Sequence, residues 1–249
     1  MTLDQFFQAN PRVALAFSGG VDSSYLLYRA IQCGAQVRAY YVKSAFQPNF
    51  EWEDAERLAK ELNADMKVLH LDVLSEKAVA ENPSNRCYFC KKCIFTAIWN
   101  AAREDGFSML VDGTNASDDA GDRPGIKALQ ELTVRSPLRE CGITKAEIRT
   151  QSKQAGLFTW NKPAYACLAT RIPAGEEITA EKLQKTEMAE QFLFSLGFTD
   201  FRIRMLDGFA RIQIPEGQIP LLLQQRSAIL NELGKQYRGV LLDLEVRGE

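Results

Sequence analysis

Ser18-Gly19-Gly20-Val21-Asp22-Ser23-Ser24 decides the reading of this 249-residue chain. The apolar run Val13-Ala14-Leu15-Ala16-Phe17 precedes it, and Tyr25-Leu26-Leu27 follows with side chains that suit a helix. The order is therefore strand, glycine turn, helix N-terminus. Glycines let the backbone approach an anion, and the unpaired N–H groups of a first helical turn point at it. Ser18, Ser23 and Ser24 add hydroxyl donors. Asp22 is out of place beside a phosphate unless a cation such as Mg²⁺ lies between them. That mismatch separates the stretch from an ordinary glycine turn with a serine cap. The glycines are not followed by a lysine and do not form Gly-x-Gly-x-x-Gly, so the two other common nucleotide loops are excluded.

The stretch resembles the SGGxDS signature of the PP-loop ATP pyrophosphatases, in the strand–loop–helix setting that belongs to it. The resemblance implies an α/β fold of the adenine nucleotide α-hydrolase-like kind, built on a parallel sheet. It also implies ATP as the nucleotide, cut between its α and β phosphates to adenylate a second substrate.

Composition sets the outer limits. A net charge of −2 gives no general basic field for nucleic acid. The N-terminal residues lack a basic region followed by an apolar core, and no apolar run approaches the roughly 18 residues of a membrane helix. Neither secretion nor membrane insertion is expected. Six cysteines without a signal peptide point to a reducing cytoplasm, where thiols serve catalysis or metal binding more often than disulfides.

Strands over 13–17, 37–42, 66–73 and 109–112 alternate with helices over 51–62 and 91–103. This pattern predicts a parallel sheet with right-handed crossovers. Ligands of such sheets sit at the carboxyl ends of the strands. Lys43 ends the second strand there, and Asp112-Gly113-Thr114-Asn115-Ala116-Ser117-Asp118-Asp119 follows the fourth. Gly113, Thr114 and Asn115 are assigned with Lys43 to the nucleotide, although such residues also favour plain turns. Asp118 or Asp122 would help hold a metal, and Arg123 is available to an anionic group. His70, the only histidine, reads as structural.

Thr144 and Glu147 make a capping box, and Gly156 stops the helix that follows, which reads as structural. An exposed loop over 161–171 comes next. The chain restarts at Thr179, an N-cap with Ile178 and Leu183 spaced as a hydrophobic staple. A helix to Gly197, strands over 201–205 and 209–214, a helix over 216–233 and a last strand over 239–246 complete the chain. The expected domains are 1–175, the PP-loop domain, and 176–249, a small α+β unit.

Cys87, Cys90 and Cys93 have the spacing C-x₂-C-x₂-C. It suits thiolate ligation of an iron–sulfur cluster or of zinc, and His70 is the only imidazole a zinc site could add. Arg86, Lys91 and Lys92 would surround the thiols with positive charge. Cys167 stands alone in its loop between Lys162 and Arg171. It reads as a nucleophile or sulfur donor aimed at an adenylated carbon, or as a buried structural thiol. Cys33 and Cys141 read as packing residues.

Several segments follow one another in family order. They are SGGVDSS, Cys87 to Lys92, Asp112-Gly113, Asp122-Arg123-Pro124-Gly125, Ser136-Pro137-Leu138, Trp160-Asn161-Lys162, Cys167-Leu168-Ala169-Thr170-Arg171, Arg202-x-Arg204 and Ala210-Arg211-Ile212. Together they resemble the LarE family, ATP-dependent sulfur transferases that make the nickel-pincer cofactor of lactate racemase. The resemblance implies pyridinium-3,5-biscarboxylic acid mononucleotide as a small nucleotide-like substrate, with its carboxylates becoming thiocarboxylates. In one form of the family a single loop cysteine gives up its own sulfur. In the other, three cysteines hold a [4Fe-4S] cluster that carries an extra sulfide. Cys87 and Cys90 place this chain with the second form, with Cys87, Cys90 and Cys167 as ligands and Cys93 unassigned. ATP would lie over Ser18–Ser24 with Mg²⁺ held partly by Asp22. Arg123, Arg171, Arg202 and Arg204 are the candidates for the substrate's phosphate. A symmetric oligomer is implied as well. The rival reading is an ATP-dependent tRNA thiolase, against which the net charge argues. An ammonia-using amidating enzyme leaves the cysteines unexplained, and a nucleotide sensor would release no pyrophosphate.

Overall fold

The computed structural model describes residues 1–118 and 124–245. Asp119, Asp122, Arg123 and Val246, which figure in the sequence reading, lie outside the described residues. The chain forms two compact units. One contains Met1–Glu76 and Asn85–Lys162, and the other contains Lys77–Ser84 and the described residues from Pro163 onward.

In the first unit the strands are β1 (Arg12–Phe17), β2 (Gln36–Lys43), β3 (Asp65–His70) and β4 (Leu110–Val111). The helices are α1 (Leu3–Ala9), α2 (Val21–Gln32), α3 (Asn49–Glu61), α5 (Arg86–Glu104), α6 (Pro124–Glu131), α7 (Pro137–Glu140) and α8 (Lys145–Gln154), while α4 (Lys77–Ala80) belongs to the second unit. The sheet has the order β3-β2-β1-β4, and every pairing is parallel. Side chains of β1 alternate between two apolar layers. Val13, Leu15 and Phe17 pack with Leu26, Leu27 and Ile148 on one face. Ala14 joins Ile98, Trp99 and Leu129 on the other. Burial on both faces explains why the strand reads as a continuous apolar run.

The chain passes from β1 outward through β2 to β3 and then crosses back to place β4 on the other side of β1. The carboxyl ends of β1 and β4 therefore flank the point where the winding reverses, where a crevice opens in such sheets. Both polar loops singled out in the sequence follow these two strands.

The helix expected over 91–103 starts at Arg86 and runs to Glu104. Between Pro83 and Gly106 no glycine or proline interrupts it, and its first two turns pack on α6, where Lys91 lies against Gly125. Cys87, Cys90 and Cys93 are therefore helical.

The second unit holds α9 (Ala180–Ser195), β5 (Arg202–Leu206), β6 (Phe209–Gln213), α10 (Ile219–Gln224), α11 (Arg226–Leu233) and β7 (Val240–Leu242). The sheet order is β5-β6-β7, with β5 and β6 antiparallel across the Asp207-Gly208 turn and β6 and β7 parallel. Both turn residues have positive φ, as a two-residue hairpin of this type requires. The helix expected over 216–233 is divided. Pro220 is accommodated in the first turn of α10, and Gln225, at φ −88° and ψ 6°, ends it before α11. Residues 163–175, placed with the first domain by sequence, group with this unit. Asn82 carbonyl oxygen accepts from Gly175 N–H at 2.8 Å, its side-chain amide donates to Pro173 O at 2.7 Å, and Ala80 O accepts from Ile178 N–H. Among the described residues no helix is long and apolar enough to cross a membrane.

Candidate active site

The loop between β1 and α2 is held open by small groups. Gly19 has φ +70°, and a Cβ there would lie 3.0 Å from that of Ala55 on α3. Ser23 Oγ accepts from Ser18 N–H at 3.2 Å, donates to Gly20 O at 3.2 Å, and lies 3.1 Å from Ser18 Oγ. Gly20 is the N-cap of α2 and offers no side-chain acceptor, so the helix start keeps its N–H groups for a ligand. Ser24 is not part of this cluster. It is fully buried, and its hydroxyl has no hydrogen-bond partner among the described residues.

The loop after β4 closes against the first turn of α2. A Cβ on Gly113 would stand 2.8 Å from Ser23 N, so only glycine fits. Asn115, 2% exposed, donates to Asp22 Oδ1 at 3.4 Å, while Asp118 Oδ2 accepts its N–H at 2.9 Å. Thr114 turns its hydroxyl to Asp112, which also accepts from Ser136 Oγ at 2.7 Å. Thr114 and Asp118 thus brace the loop from within. Lys43 closes the end of β2, donating to Asn49 Oδ1 at 2.9 Å and to Gln47 O at 3.2 Å.

Lys145 was missed. It is the first residue of α8, its N–H donates to Ser117 Oγ at 2.9 Å, and its ammonium pairs with Asp22 Oδ2 at 2.5 Å. The capping box forms as expected, yet the helix also delivers a cation to the aspartate of the nucleotide loop. A signal was present in the sequence. A lysine in the first turn opposes the helix dipole, so it needs a reason to be there.

On α5 the cysteines fan around the helix. Three residues in a helix amount to a turn of about 60° backwards, so each cysteine lies about 60° round from the one before it and the three span about 120° of the helix. Cys87 is exposed, and Cys90 and Cys93 are half-buried. Arg86 Nη2 stands 4.0 Å from Cys87 Sγ. Burial, and then the Glu76 carboxylate, push the Cys93 thiol up, which keeps it protonated. Lys92 turns to Tyr88 and Glu131. Cys33 and Cys141 sit half-buried against the first apolar layer, and burial with the Asp4 hydrogen bond takes Cys33 to about 11. His70 is exposed at the end of β3. No group of three or more His, Cys, Asp or Glu side chains among the described residues is assembled for a metal ion.

In the second unit Cys167 precedes a 3₁₀ turn, Leu168–Arg171, and its carbonyl accepts from Thr170 N–H and Oγ1, each at 2.9 Å. Arg171, expected at a phosphate, is instead buried at 0% side-chain exposure. It pairs with Glu190, 2% exposed, through Nε–Oε1 at 2.8 Å and Nη2–Oε2 at 3.2 Å. Its Nη1 donates to Ala166 O and Thr170 Oγ1, and the guanidinium lies 4.6 Å from the Tyr165 ring centre. Burial disfavours this charge, but Glu190 outweighs it and the net shift is upward. Glu190 Oε1 also accepts Ile203 N–H at 3.0 Å. Arg202 and Arg204 share one face of β5, and Arg204 Nη1 donates to Thr170 O at 3.2 Å. Glu190 too was missed, although a glutamate at a position in register with Leu183, Ala189 and Leu193 on the buried face of α9 is a visible anomaly.

A profile of the thiamine biosynthesis protein (ThiI) family matches residues 8–194. The pyridinium-3,5-bisthiocarboxylic acid mononucleotide synthase of Lactiplantibacillus plantarum is 34% identical over 238 residues, covering 94% of this chain and 86% of that protein. The chain belongs to the LarE family of PP-loop enzymes. It is an ATP-dependent sulfurtransferase of that family. The uncharacterized protein slr1717 of Synechocystis sp. is 38% identical over 98% of this chain and 92% of its own length. The tRNA-specific 2-thiouridylase MnmA of Fervidobacterium nodosum is similar over much less, 29% identical across 41% of this chain and 36% of its own length. Likeness to the family thus extends through both units, whereas likeness to that thiouridylase covers a minor part of either chain.

Proposed function

We propose that this protein adenylates the carboxylates of pyridinium-3,5-biscarboxylic acid mononucleotide and converts them to thiocarboxylates. One observation carries the reading. Arg204 bonds to Thr170, whose N–H and hydroxyl bond to the Cys167 carbonyl, so a strand with two arginines on one face and the loop of Cys167 form one frame, which supports an anion held beside a thiol. ATP lies over Ser18, Gly19, Gly20 and Ser23, with its phosphates toward the first turn of α2. Mg²⁺ binds through one or two carboxylates plus phosphate oxygens, and Asp22 fits that modest demand. Lys145, paired with Asp22, is placed to follow the developing charge when pyrophosphate departs. A substrate carboxylate oxygen attacks the α phosphorus, the bond to the β-phosphate oxygen breaks, and pyrophosphate leaves. The product is an acyl adenylate. A sulfur nucleophile at the Cys167 loop then attacks the acyl carbon, and AMP departs with the acyl–oxygen electron pair.

The donor set suits an iron–sulfur cluster, for the thiols of α5 follow one another about 60° apart round the helix and Cys167 begins an irregular turn. Cys87, Cys90 and Cys167 would hold a [4Fe-4S] cluster, with Cys93, whose thiol burial pushes up, left outside the set. When bound, such a cluster supplies sulfur at an iron that has no protein ligand. Arg202 and Arg204 receive the substrate's phosphate. Six free thiols accord with a reducing, cytoplasmic setting.

Anaerobic purification with iron and sulfide analysis tests the ligand set. Iron should be lost in Cys87→Ala, Cys90→Ala and Cys167→Ala and retained in Cys93→Ala. Absence of iron from the strictly anaerobic wild-type protein would overturn the cluster and leave Cys167 as a sacrificial donor. That outcome would appear as loss of H₂S from the protein mass after one turnover.

A further inference from the structure

Lys162, the last residue of the first unit, is held from two sides. Arg149 on α8 grips its backbone, donating Nη1 to Trp160 O at 2.8 Å and Nη2 to Lys162 O at 3.0 Å. The lysine's ammonium turns to α3, where Nζ lies 2.7 Å from Asp54 Oδ2 and 3.8 Å from Glu51 Oε1. Only 12% of the lysine side chain is exposed. Taking an ammonium out of water is costly unless it is paired, so the charge buried here has to be matched by those carboxylates.

Both helices that hold Lys162 also touch the loop over 18–24. Residues three and four apart are neighbours on a helix, so Glu51 has Asp54 and Ala55 beside it on one side of α3. Ala55 is the residue that a Cβ on Gly19 would meet at 3.0 Å. The helix α8 opens with Lys145, whose ammonium pairs with Asp22. Lys162 is thus tied through α3 to the glycine turn and through α8 to the aspartate that follows it. Pro163 comes next and restricts the residue before it to extended backbone, and Lys162 has φ −61° and ψ 124°. The chain therefore leaves these helices at a fixed point. Cys167 is five residues further on, at most about 18 Å along an extended chain.

We propose that Lys162 is a positioning residue, whose pair with Asp54 keeps the start of the Cys167 loop in register with the nucleotide loop. The acyl adenylate then meets the sulfur nucleophile before it meets water. The proposal rests on the adenylation and sulfur-transfer reading above and adds Lys162 and Asp54 to it. When the register is lost, water attacks the acyl carbon and AMP leaves with the acyl–oxygen electron pair. The carboxylate is regenerated, and ATP has gone to AMP and pyrophosphate without a sulfur product.

The test measures thiocarboxylate formed per AMP released, using the anaerobically prepared full chain with ATP, Mg²⁺ and pyridinium-3,5-biscarboxylic acid mononucleotide. Lys162→Met should keep substrate-dependent exchange of pyrophosphate into ATP within about twofold of wild type. It should lower the ratio by roughly tenfold or more, since misplacement by about 1 Å can cost ~100-fold. Lys162→Arg should recover part of the ratio. Asp54→Asn, at a side chain 33% exposed and so more tolerant of change, should lower it as Lys162→Met does. Equal loss of exchange and of sulfur transfer would mark residues that merely hold the fold and would overturn the proposal, as would an unchanged ratio in Lys162→Met and Asp54→Asn. Hydrogen exchange gives a readout that needs no substrate. Amides over 164–170 should exchange several-fold faster in Lys162→Met than in wild type while those of α2 keep their rates, and equal rates over 164–170 overturn the proposal. A wild-type protein that forms no thiocarboxylate, with that difference over 164–170 present, would overturn the substrate reading and leave Lys162 in its role.

Discussion

The loop over 18–24 is shaped by backbone and hydroxyl groups around glycine, while the loop carrying Cys167 is shaped by a fully buried ion pair between Arg171 and Glu190. The first leaves N–H groups open to a ligand and is intolerant of added atoms, since a methyl group on Gly113 meets Ser23 N at 2.8 Å. The second has its guanidinium committed to Glu190, Ala166 O and Thr170 Oγ1 and is intolerant of lost charge. Steric economy thus governs the loop proposed for the nucleotide, and buried electrostatics governs the loop proposed for sulfur transfer. Each should fail in its own way.

Glu190→Ala should produce the largest effect. Removing one partner of a buried pair costs about 3–5 kcal/mol, read by urea denaturation. The variant also frees Ile203 N–H, so β5 and the Cys167 loop should loosen together in hydrogen exchange. An equal cost for Glu190→Gln and Glu190→Ala would mean that the charge is not what holds the loop. Gly113→Ala comes next. Overpacking at a rigid contact costs about 1–3 kcal/mol. Substrate-dependent exchange of pyrophosphate into ATP should fall far more than stability does, because the Cβ pushes on the first turn of α2. Thr144→Ala should cost about 1 kcal/mol as a lost N-cap. Lys145→Met, one residue on, should change stability by less than about 1 kcal/mol, since the pair with Asp22 is partly exposed. Its exchange rate should nevertheless drop by roughly tenfold or more, the scale of one lost charge-assisted bond. A Lys145→Met variant with normal exchange would return α8 to a structural role. The smallest effect concerns the thiols. Iodoacetamide at pH 8 should alkylate exposed Cys87 well before Cys33, whose thiol is held near 11 and stays protonated.

The comparison also explains what could be read from the residues alone. Period-2 burial in β1, the Thr144 capping box and the Thr179 N-cap are local patterns, and each appears in the fold. The strand–turn–helix shape over 12–32 was legible for the same reason, because it depends on neighbours within a few residues. Lys145 and Asp22 are far apart in the chain and meet only because α8 packs beside α2. Glu190 and Arg171 meet through the fold of residues 163–195, so Arg171 read as an exposed cation when it is a buried strut. The helix expected from Lys91 begins at Arg86, so Cys87 and Cys90 also lie within it. The two missed charges each have a partner that lies elsewhere in the chain. The two missed charges nonetheless left local traces, one cation against a helix dipole and one acid in an apolar stripe.

The most direct test incubates the anaerobically prepared protein with ATP, Mg²⁺ and pyridinium-3,5-biscarboxylic acid mononucleotide and follows nucleotides and product by mass spectrometry. The account predicts AMP and pyrophosphate in step with replacement of carboxylate oxygen by sulfur, and loss of the sulfur product but not of pyrophosphate release in Cys167→Ala. ADP as the nucleotide product, or AMP release with no oxygen-to-sulfur change in the substrate, would contradict it.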